Sequence, residues 1–204
     1  MKYEHKFKVF LVTHVLIPII AFIVIISTVE AADCEKHPIY CQIKKNSPRL
    51  NKKKAYHLSN VIHKATRKYK IPARIFVGIL AQESGYKLGA RGCHRGLVLP
   101  KCEELEGPES IRIKCKNKPH DFIKEIKVCA DFGIGQIYYK TAKGFGFDIS
   151  LLTTDLEYSI EASAKVLADF KKRYSNKEVD WWTRYNARSK IKRQIYKTLV
   201  ERYF

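Results

Sequence analysis

Apolar residues recur every three or four positions over most of the chain beyond residue 55, and this spacing predicts amphipathic helices. Leu58 begins one such series, which runs to Tyr69. A second series follows Pro72, a residue suited to the first turn of a helix, and stops at Gly85. The pattern therefore predicts two consecutive helices, the second of which ends at Gly85.

Two further helices are predicted toward the end of the chain. Thr154-Asp155-Leu156-Glu157 is typical of a capping box, and it precedes an amphipathic series that reaches Tyr174. Residues 181–189 are predicted to form a loop, with Trp181 and Trp182 closing the core. The last helix has an apolar face and a basic face, formed respectively by Ile191, Ile195, Leu199 and by Lys190, Lys192, Arg193, Lys197. No alternating run is long enough for a substantial sheet, so the predicted fold class is mainly α.

One carboxylate interrupts the apolar pattern of the second helix. Ile75, Ile79 and Glu83 are four positions apart, so a helix would direct Glu83 toward the same side as the two isoleucines. Loss of hydration there disfavours the ionised form and raises the pKa of the carboxyl, as a general acid for glycosidic cleavage requires. The alternative is an ordinary glutamate at a helix end that pairs with a lysine.

The first 32 residues have the pattern of an export segment. Three lysines precede an apolar run over residues 9–29, and small residues follow it. The run is long enough, at roughly 32 Å as a helix, to remain in a bilayer, so residues 1–32 are either a cleaved signal peptide or a membrane anchor. Residues 33–54 are expected to form a basic, loose N-terminal arm or tether, and residues 55–204 a single domain. We expect the protein in the periplasm or cell envelope, either released or held at the inner membrane.

All six cysteines follow the export segment, which favours disulfides. Cys34 is expected to pair with Cys41, and two more bridges are expected within residues 93–129. These would staple an insertion over residues 87–130, where no periodicity is visible. A zinc site is the weaker alternative, because the set Cys93, His94, Cys102 and His120 contains no C-x-x-C pair.

The formal net charge is +19, and residues 1–32 contribute three basic and two acidic groups, so the remainder keeps +18. Such an excess predicts an anionic partner, although part of it only solvates the surface. Nucleic acid is not expected for an exported chain. Anionic cell-wall polymers and acidic lipid head groups fit both the charge and the location.

Three short motifs occur in a fixed order. They are Glu83-Ser84 after an apolar helix, then Gly133-Ile134-Gly135-Gln136-Ile137, then Tyr185-Asn186 ahead of the last helix. In this order and spacing they resemble the Glu-Ser, Gly-Leu-Met-Gln and Ala-Tyr-Asn motifs of soluble-type lytic transglycosylases (glycoside hydrolase family 23) of the lysozyme-like superfamily. The resemblance covers residues 56–204 without the insertion, and it includes the small exported members associated with secretion systems and phages.

The resemblance implies a lysozyme-like helical domain that cleaves the β-1,4 bond between N-acetylmuramic acid and N-acetylglucosamine in peptidoglycan. The product would carry a 1,6-anhydro ring, and neither metal nor cofactor would be needed. Carried over by position, Glu83 is the catalytic acid and base, while Ser84 and Gln136 hold sugar groups. Tyr185 orients Glu83 or the substrate, and Asn186 braces the site. Envelope-spanning secretion or phage machinery is the partner that the resemblance suggests.

Several residues depart from the family pattern. Gly135 replaces a large apolar residue, Arg184 stands where a small residue often precedes Tyr-Asn, and Arg188 stands where glycine is frequent. Two other functions stay open. A goose-type hydrolytic muramidase would need a second carboxylate, for which Asp131 is the candidate. A non-catalytic peptidoglycan-binding module would use the same charge and groove, but would have no need for Glu83.

Overall fold

The computed structural model describes residues 34–95 and 127–204, and these form a mainly helical domain with one small sheet. The helices are α1 (Pro38–Asn46), α2 (Lys52–Lys68), α3 (Ala73–Ser84), α4 (Tyr139–Phe145), α5 (Ile149–Thr154), α6 (Leu156–Tyr174) and α7 (Lys190–Glu201), with a 3-10 helix at Trp181–Tyr185 before α7. The strands are β1 (Arg91–Arg95), β2 (Lys127–Phe132) and β3 (Ile137–Tyr138). The predicted fold class is confirmed.

The two consecutive helices predicted from the apolar spacing are α2 and α3. The side chain of Asn51 accepts a hydrogen bond from the backbone N–H of Lys53 and so caps α2. Pro72 occupies the position just before α3, one residue earlier than its usual place in the first turn. Gly85 ends α3 in the left-handed conformation, with φ of 60°, as predicted.

Helix α3 lies at the centre of the main core. Phe76, Ile79 and Leu80 are fully buried on it, and residues of α2, α6 and α7 belong to the same cluster. Trp181 and Trp182 are also buried in this cluster, which confirms their predicted place in the core. They lie on the 3-10 helix, so the prediction of an irregular loop was wrong for this stretch.

The start of α6 differs from the predicted capping box by one residue. Asp155 is the cap, because its carboxylate accepts the backbone N–H of Tyr158 at 3.0 Å. Thr154 instead ends the preceding helix α5, and its hydroxyl donates to the carbonyl of Ser150 at 2.8 Å. Aspartate and threonine both suit a helix cap, so adjacent candidates leave the boundary open to this error.

The apolar face predicted for the last helix was wrong. Ile191 and Ile195 are 77% and 56% exposed, whereas Tyr196 and Val200 are buried in the main core. The α7 sequence contains two apolar rows with a spacing of four, and periodicity alone does not decide which one faces the protein. The row with Tyr196 faces inward because it contacts α3, where Val200 lies against Gly78.

The three strands form an antiparallel sheet in the order β1-β2-β3. Residue 92 pairs with Asp131 and Cys93 with Cys129, with an irregularity in the register between Gly92 and Cys93. The sheet thus joins the two ends of the predicted insertion. The two disulfides expected within residues 93–129 lie outside the described side chains.

The expected loose arm is folded in its middle part. Helix α1 buries Tyr40 and Ile43 in the main core, and the predicted Cys34–Cys41 disulfide is present. Gln42 ties the helix to the end of the chain by donating to the carbonyl of Tyr203 at 2.9 Å. The prediction counted charges and prolines in this segment and overlooked its few apolar residues, which suffice to anchor a short helix.

The predicted export segment, residues 1–32, lies outside the described part of the chain. Within residues 34–95 and 127–204, no helix has the length and apolar character needed to cross a bilayer.

Candidate active site

An open cleft of about 1120 Å³ separates the sheet and α4 from α6 and the segment before α7. Glu83 lies in it, at the last turn of α3. The residues predicted from the third motif, Tyr185 and Asn186, line the same cleft. The complete lining is Glu83, Gly92, Asp131, Gln136, Ile137, Tyr138, Thr141, Gly144, Phe145, Val166, Asp169, Phe170, Arg173, Tyr174, Arg184, Tyr185, Asn186, Ala187 and Arg188.

The Glu83 carboxyl is held by two donors from the second half of the chain. The hydroxyl of Tyr196 donates to Oε1 at 2.5 Å. The amide Nδ2 of Asn186 lies 3.1 Å from Oε1 and 3.3 Å from Oε2. The side chain is therefore fixed in one orientation before any ligand binds, as catalysis by positioned groups requires.

Burial raises the pKa of Glu83 from 4.5 to about 7. The hydrogen bonds from Tyr196 and Asn186 stabilise the carboxylate and act in the opposite direction, while the negative charge of Asp131 raises the pKa further. Burial also raises the pKa of Tyr196 well above its usual value, which keeps its hydroxyl protonated as a donor. Glu83 can thus carry a proton near neutral pH, as a general acid must.

The second motif forms a tight turn between β2 and β3. Gly133 adopts a φ of 77°, and a side chain there would overlap the carbonyl oxygen of Leu152. Gly135 has no room for a Cβ either, because the atom would lie 2.6 Å from the Tyr185 hydroxyl and would overlap Ser163. The departure from the family pattern at Gly135 therefore accompanies a close approach of the turn to α6 and to Tyr185.

The first and third motifs both hold this turn. The Ser84 hydroxyl donates to the carbonyl of Ile134 at 2.7 Å, and the Tyr185 hydroxyl donates to the carbonyl of Gly135 at 2.8 Å. Ser84 also accepts the backbone N–H of Lys87 at 3.1 Å. Together with the bond from Asn186 to Glu83, these contacts bring all three sequence motifs into one place.

Gln136 closes the turn and faces the cleft. Its φ is 48°, unusual for a residue with a side chain, and its Nε2 donates to the carbonyl of Gly133 at 2.8 Å. A Cβ added to Gly92 of β1 would lie 2.8 Å from both the Gln136 Oε1 and an Asp131 carboxylate oxygen. Gly92 therefore leaves space for these two polar groups side by side in the cleft.

The family model described as transglycosylase SLT domain matches residues 60–198, more than half of the chain. The chain belongs to this family. No curated protein and no solved structure matches it. The family acts on peptidoglycan, so the match supports peptidoglycan as the substrate of this SLT domain and places its action outside the cytoplasm.

One residue that contacts Glu83 in this SLT domain was missed from the sequence. Tyr196 lies on α7, and its ring packs against Trp182 with ring centroids 6.3 Å apart. The sequence does contain a signal, since Tyr196 and Val200 are four positions apart. The competing row of Ile191 and Ile195 is more apolar, and its apolar character predicts the wrong buried face for α7.

The α6 wall of the cleft is lined by aromatic and guanidinium groups. Arg184 lies 4.6 Å from the ring centroid of Tyr174 and forms an ion pair with Glu178. Arg173 lies 5.0 Å from the ring of Phe170 and forms an ion pair with Asp169. Flat apolar surfaces with charged edges suit the faces and substituents of sugar rings. Across the described residues, no cluster of side chains is suited to hold a metal ion.

Proposed function

We propose that this protein is an exported peptidoglycan lytic transglycosylase that cleaves the β-1,4 bond between N-acetylmuramic acid and N-acetylglucosamine. The observation that carries the proposal is the environment of Glu83. Its pKa is raised to about 7 in an open cleft, and donors from the third motif and from α7 hold its carboxyl. A single glutamate poised between its two protonation states suits a reaction in which one residue serves as acid and then as base.

The reaction balances without water. Protonated Glu83 gives its proton to the glycosidic oxygen as the bond from that oxygen to C1 of the muramoyl residue breaks, and the N-acetylglucosamine end leaves as an alcohol. The Glu83 carboxylate then takes the proton of the muramoyl 6-hydroxyl while that oxygen bonds to C1. The 1,6-anhydro ring is complete, and Glu83 is again protonated.

The neighbours of Glu83 support both steps. Tyr196 and Asn186 donate to its carboxyl, so they stabilise the anion formed after the first proton transfer. Gln136 presents a neutral amide to the cleft, which suits hydroxyl and acetamido groups.

The resemblance implies that Ser84 holds a sugar group and that Tyr185 orients Glu83 or the substrate. Their hydroxyl groups donate to carbonyls of the turn that carries Gln136. We therefore assign Ser84 a positioning role through this turn. Tyr185 combines such a role with a place in the cleft wall, where its ring is available to the substrate.

A hydrolytic muramidase is the second candidate, and the position of Asp131 favours it. Asp131 lines the same cleft, and its charge contributes to the raised pKa of Glu83. A carboxylate there could accept a proton from a water molecule that attacks C1. The charge of Asp131 equally favours a proton on Glu83, so its presence suits both reactions. A non-catalytic binding module is disfavoured, since binding alone needs no carboxyl whose pKa lies near neutrality.

The location and partners follow from the same proposal. Peptidoglycan lies outside the cytoplasm, so residues 1–32 would direct the chain to the periplasm or envelope, as a signal peptide or as a membrane anchor. Envelope-spanning secretion or phage machinery, which must pass through the wall, is the proposed partner.

Product analysis tests the reaction. Residues 33–204, produced with disulfides formed, are incubated with purified peptidoglycan, and the released muropeptides are weighed by mass spectrometry. Anhydro ends, lighter than reducing ends by one water, are expected. Reducing ends would assign the hydrolytic reaction instead. Absence of any release, with the parent protein folded and bound to the wall, would leave the binding module as the function.

A further inference from the structure

We propose that Arg188 binds the carboxylate borne by the substituent on the muramoyl 3-oxygen, and so makes the cleft selective for peptidoglycan over neutral β-1,4 glycans. This inference rests on the proposed function. Three arginines line the cleft, and they differ in whether their guanidinium groups form ion pairs with other residues.

Two of the three arginines are already paired. Arg173 forms its ion pair with Asp169, and the Arg184 Nε donates to Glu178 at 3.1 Å within a two-bond pair. The guanidinium of Arg188 has no hydrogen bond or ion pair with any residue of the described ranges, and the residue is exposed. Arg188 is therefore the cleft arginine that is available to bind an external anion.

Arg188 also lines the same cleft as Glu83. It follows Asn186, which holds the Glu83 carboxyl, by two residues. Its backbone is fixed from α7, because the Arg193 Nη1 donates to the Arg188 carbonyl at 2.6 Å. The charge of Arg188 also acts on the hydroxyl of Tyr138 on the sheet side of the cleft. Arg188 thus lines the cleft two residues along the chain from a residue that holds Glu83, and its charge reaches the sheet side of the cleft.

The chemistry of the glycan supplies the anion. N-acetylmuramic acid differs from N-acetylglucosamine by a lactyl ether on its 3-oxygen, and this group ends in a carboxyl. The carboxylate is free in strands that have lost their peptides, and in other strands it is joined to a peptide that carries further carboxylates. A planar guanidinium matches a carboxylate with two parallel hydrogen bonds, whereas a glycan built only of N-acetylglucosamine offers it no charge.

Binding and turnover are measured separately. Dissociation constants are determined in a Glu83→Gln background for three soluble ligands: peptide-bearing strands, strands stripped of peptides by an amidase, and a neutral N-acetylglucosamine oligomer. KM and kcat are measured in the active parent. The variants are Arg188→Ala and Arg188→Lys, with Arg202→Ala as the control, because Arg202 carries the same charge, is exposed and does not line the cleft.

Arg188→Ala should weaken binding of the charged strands and raise their KM by about three- to ten-fold, with less than a two-fold change for the neutral oligomer. Arg188→Lys should recover part of the loss, and Arg202→Ala should show none of this selectivity. If Arg188→Ala weakens binding of the stripped strands alone, the group bound by Arg188 is the lactyl carboxylate. If binding of the peptide-bearing strands is also weakened, Arg188 binds a carboxylate of the peptide.

Equal losses on charged and neutral ligands, or the same loss in Arg202→Ala, would overturn the assignment. Failure of the proposed function has a different signature. The parent would then release either no product or only products with reducing ends, while the binding comparison among the three ligands would still report on Arg188.

Discussion

Glu83 is subject to opposing influences that nearly balance at neutral pH. Burial and the charge of Asp131 favour the protonated form, and the donors Tyr196 and Asn186 favour the anion. The resulting pKa of about 7 lies about 2.5 units above the usual 4.5, which corresponds to roughly 3 kcal/mol between the two protonation states. A Glu83 pKa held above its usual value therefore lowers the stability of the fold at neutral pH.

Glu83→Gln should abolish activity and stabilise the fold at neutral pH. The amide has no proton to transfer, so the rate should fall by at least about 10⁴. The parent pays no ionisation penalty below pH 4.5, where folded and unfolded chains both keep the proton. The penalty grows as the pH rises and is complete above about 7. The stability advantage of the variant should therefore grow to about 1–3 kcal/mol between pH 4.5 and 8.

Thermal or denaturant unfolding of both proteins across this pH range checks the stability, and muropeptide release checks the activity. A variant that is less stable than the parent at every pH would mean that Glu83 is held as an anion, as in the alternative of an ordinary helix-end glutamate.

Two substitutions around Glu83 should shift the pH profile in opposite directions. In the parent, kcat/KM should fall above a pKa of about 7, as Glu83 loses its proton. Tyr196→Phe removes a donor to the carboxylate and should move this limb to higher pH by up to about one unit. Asp131→Asn removes a negative charge and should move it to lower pH.

Tyr69→Phe is the control for the loss of a tyrosine hydroxyl, because its hydroxyl donates to Glu161 outside the cleft at 3.1 Å. It should leave the profile in place. Shifts of Tyr196→Phe and Asp131→Asn in the same direction would contradict the electrostatic account of the Glu83 pKa.

At the scale of residues, the sequence indicated Glu83 as a candidate but did not indicate that Tyr196 would donate a hydrogen bond to it. Glu83 could be found because it continues a row of apolar residues on α3, and this row is a local property of the chain. Tyr196 is 113 residues away from it, and only the packing of α7 on α3 brings the two together. The roles of Ser84 likewise depend on a turn 50 residues away, which no local pattern describes.

At the scale of elements, the different burial of the two apolar rows of helix α7 predicts different effects of truncating a residue in each row. Val200→Ala should lower the free energy of unfolding by about 1–3 kcal/mol, because the side chain is fully buried. Ile195→Ala removes a larger side chain but should change it by less than about 0.5 kcal/mol, since that residue is 56% exposed. Denaturant titration of the two variants measures both free energies of unfolding. A larger loss of stability in Ile195→Ala than in Val200→Ala would mean that the row of Ile191 and Ile195 is the buried face of α7.

The turn of the second motif allows a matched pair of glycine substitutions. Gly135→Ala should destabilise the protein by about 1–3 kcal/mol and reduce activity, because the new methyl group would displace Tyr185 and Ser163. Gly144→Ala introduces the same methyl group inside α4, where no atom beyond its chain neighbours and the helix's own backbone lies within 4 Å. It should stabilise the fold by roughly 0.5–1 kcal/mol. Melting temperatures of both variants provide the measurement, and similar destabilisation in both would contradict the close packing at Gly135.

The helices were largely predictable, and the reasons for the exceptions are physical. Long amphipathic helices such as α2 and α6 contain many apolar residues at helical spacing, so each prediction rests on many positions. Short elements contain few such residues. The sheet formed by β1 and β2 also joins segments separated by 31 residues of the chain, which no local pattern describes. Helix α1 was missed because its stability comes from tertiary contacts, with Ile43 buried, and from a disulfide rather than from its composition.

For the whole molecule, the charge predicts a salt-dependent attachment to the wall. The net charge is +19, and anionic wall polymers attract it through interactions that are screened over roughly 8–10 Å at physiological ionic strength. Sedimentation with insoluble peptidoglycan should therefore retain less protein as the salt concentration rises. The Glu83→Gln variant serves for this assay because it leaves the wall intact. Retention that is unchanged between low and high salt would assign the charge to another partner.

The folded state of α1 sets how far the domain could act from a membrane. A flexible tether over residues 33–54 would have allowed the cleft to reach glycan strands far from the bilayer. Helix α1 is instead joined to the domain by the packing of Tyr40 and Ile43, and the Cys34–Cys41 disulfide ties Cys34 to this helix. If the apolar run of residues 9–29 stays in the bilayer, four residues separate it from Cys34, and they span at most about 14 Å. An anchored molecule would then cut only the layer of peptidoglycan next to the membrane, whereas release by signal cleavage would open the full depth of the wall to it.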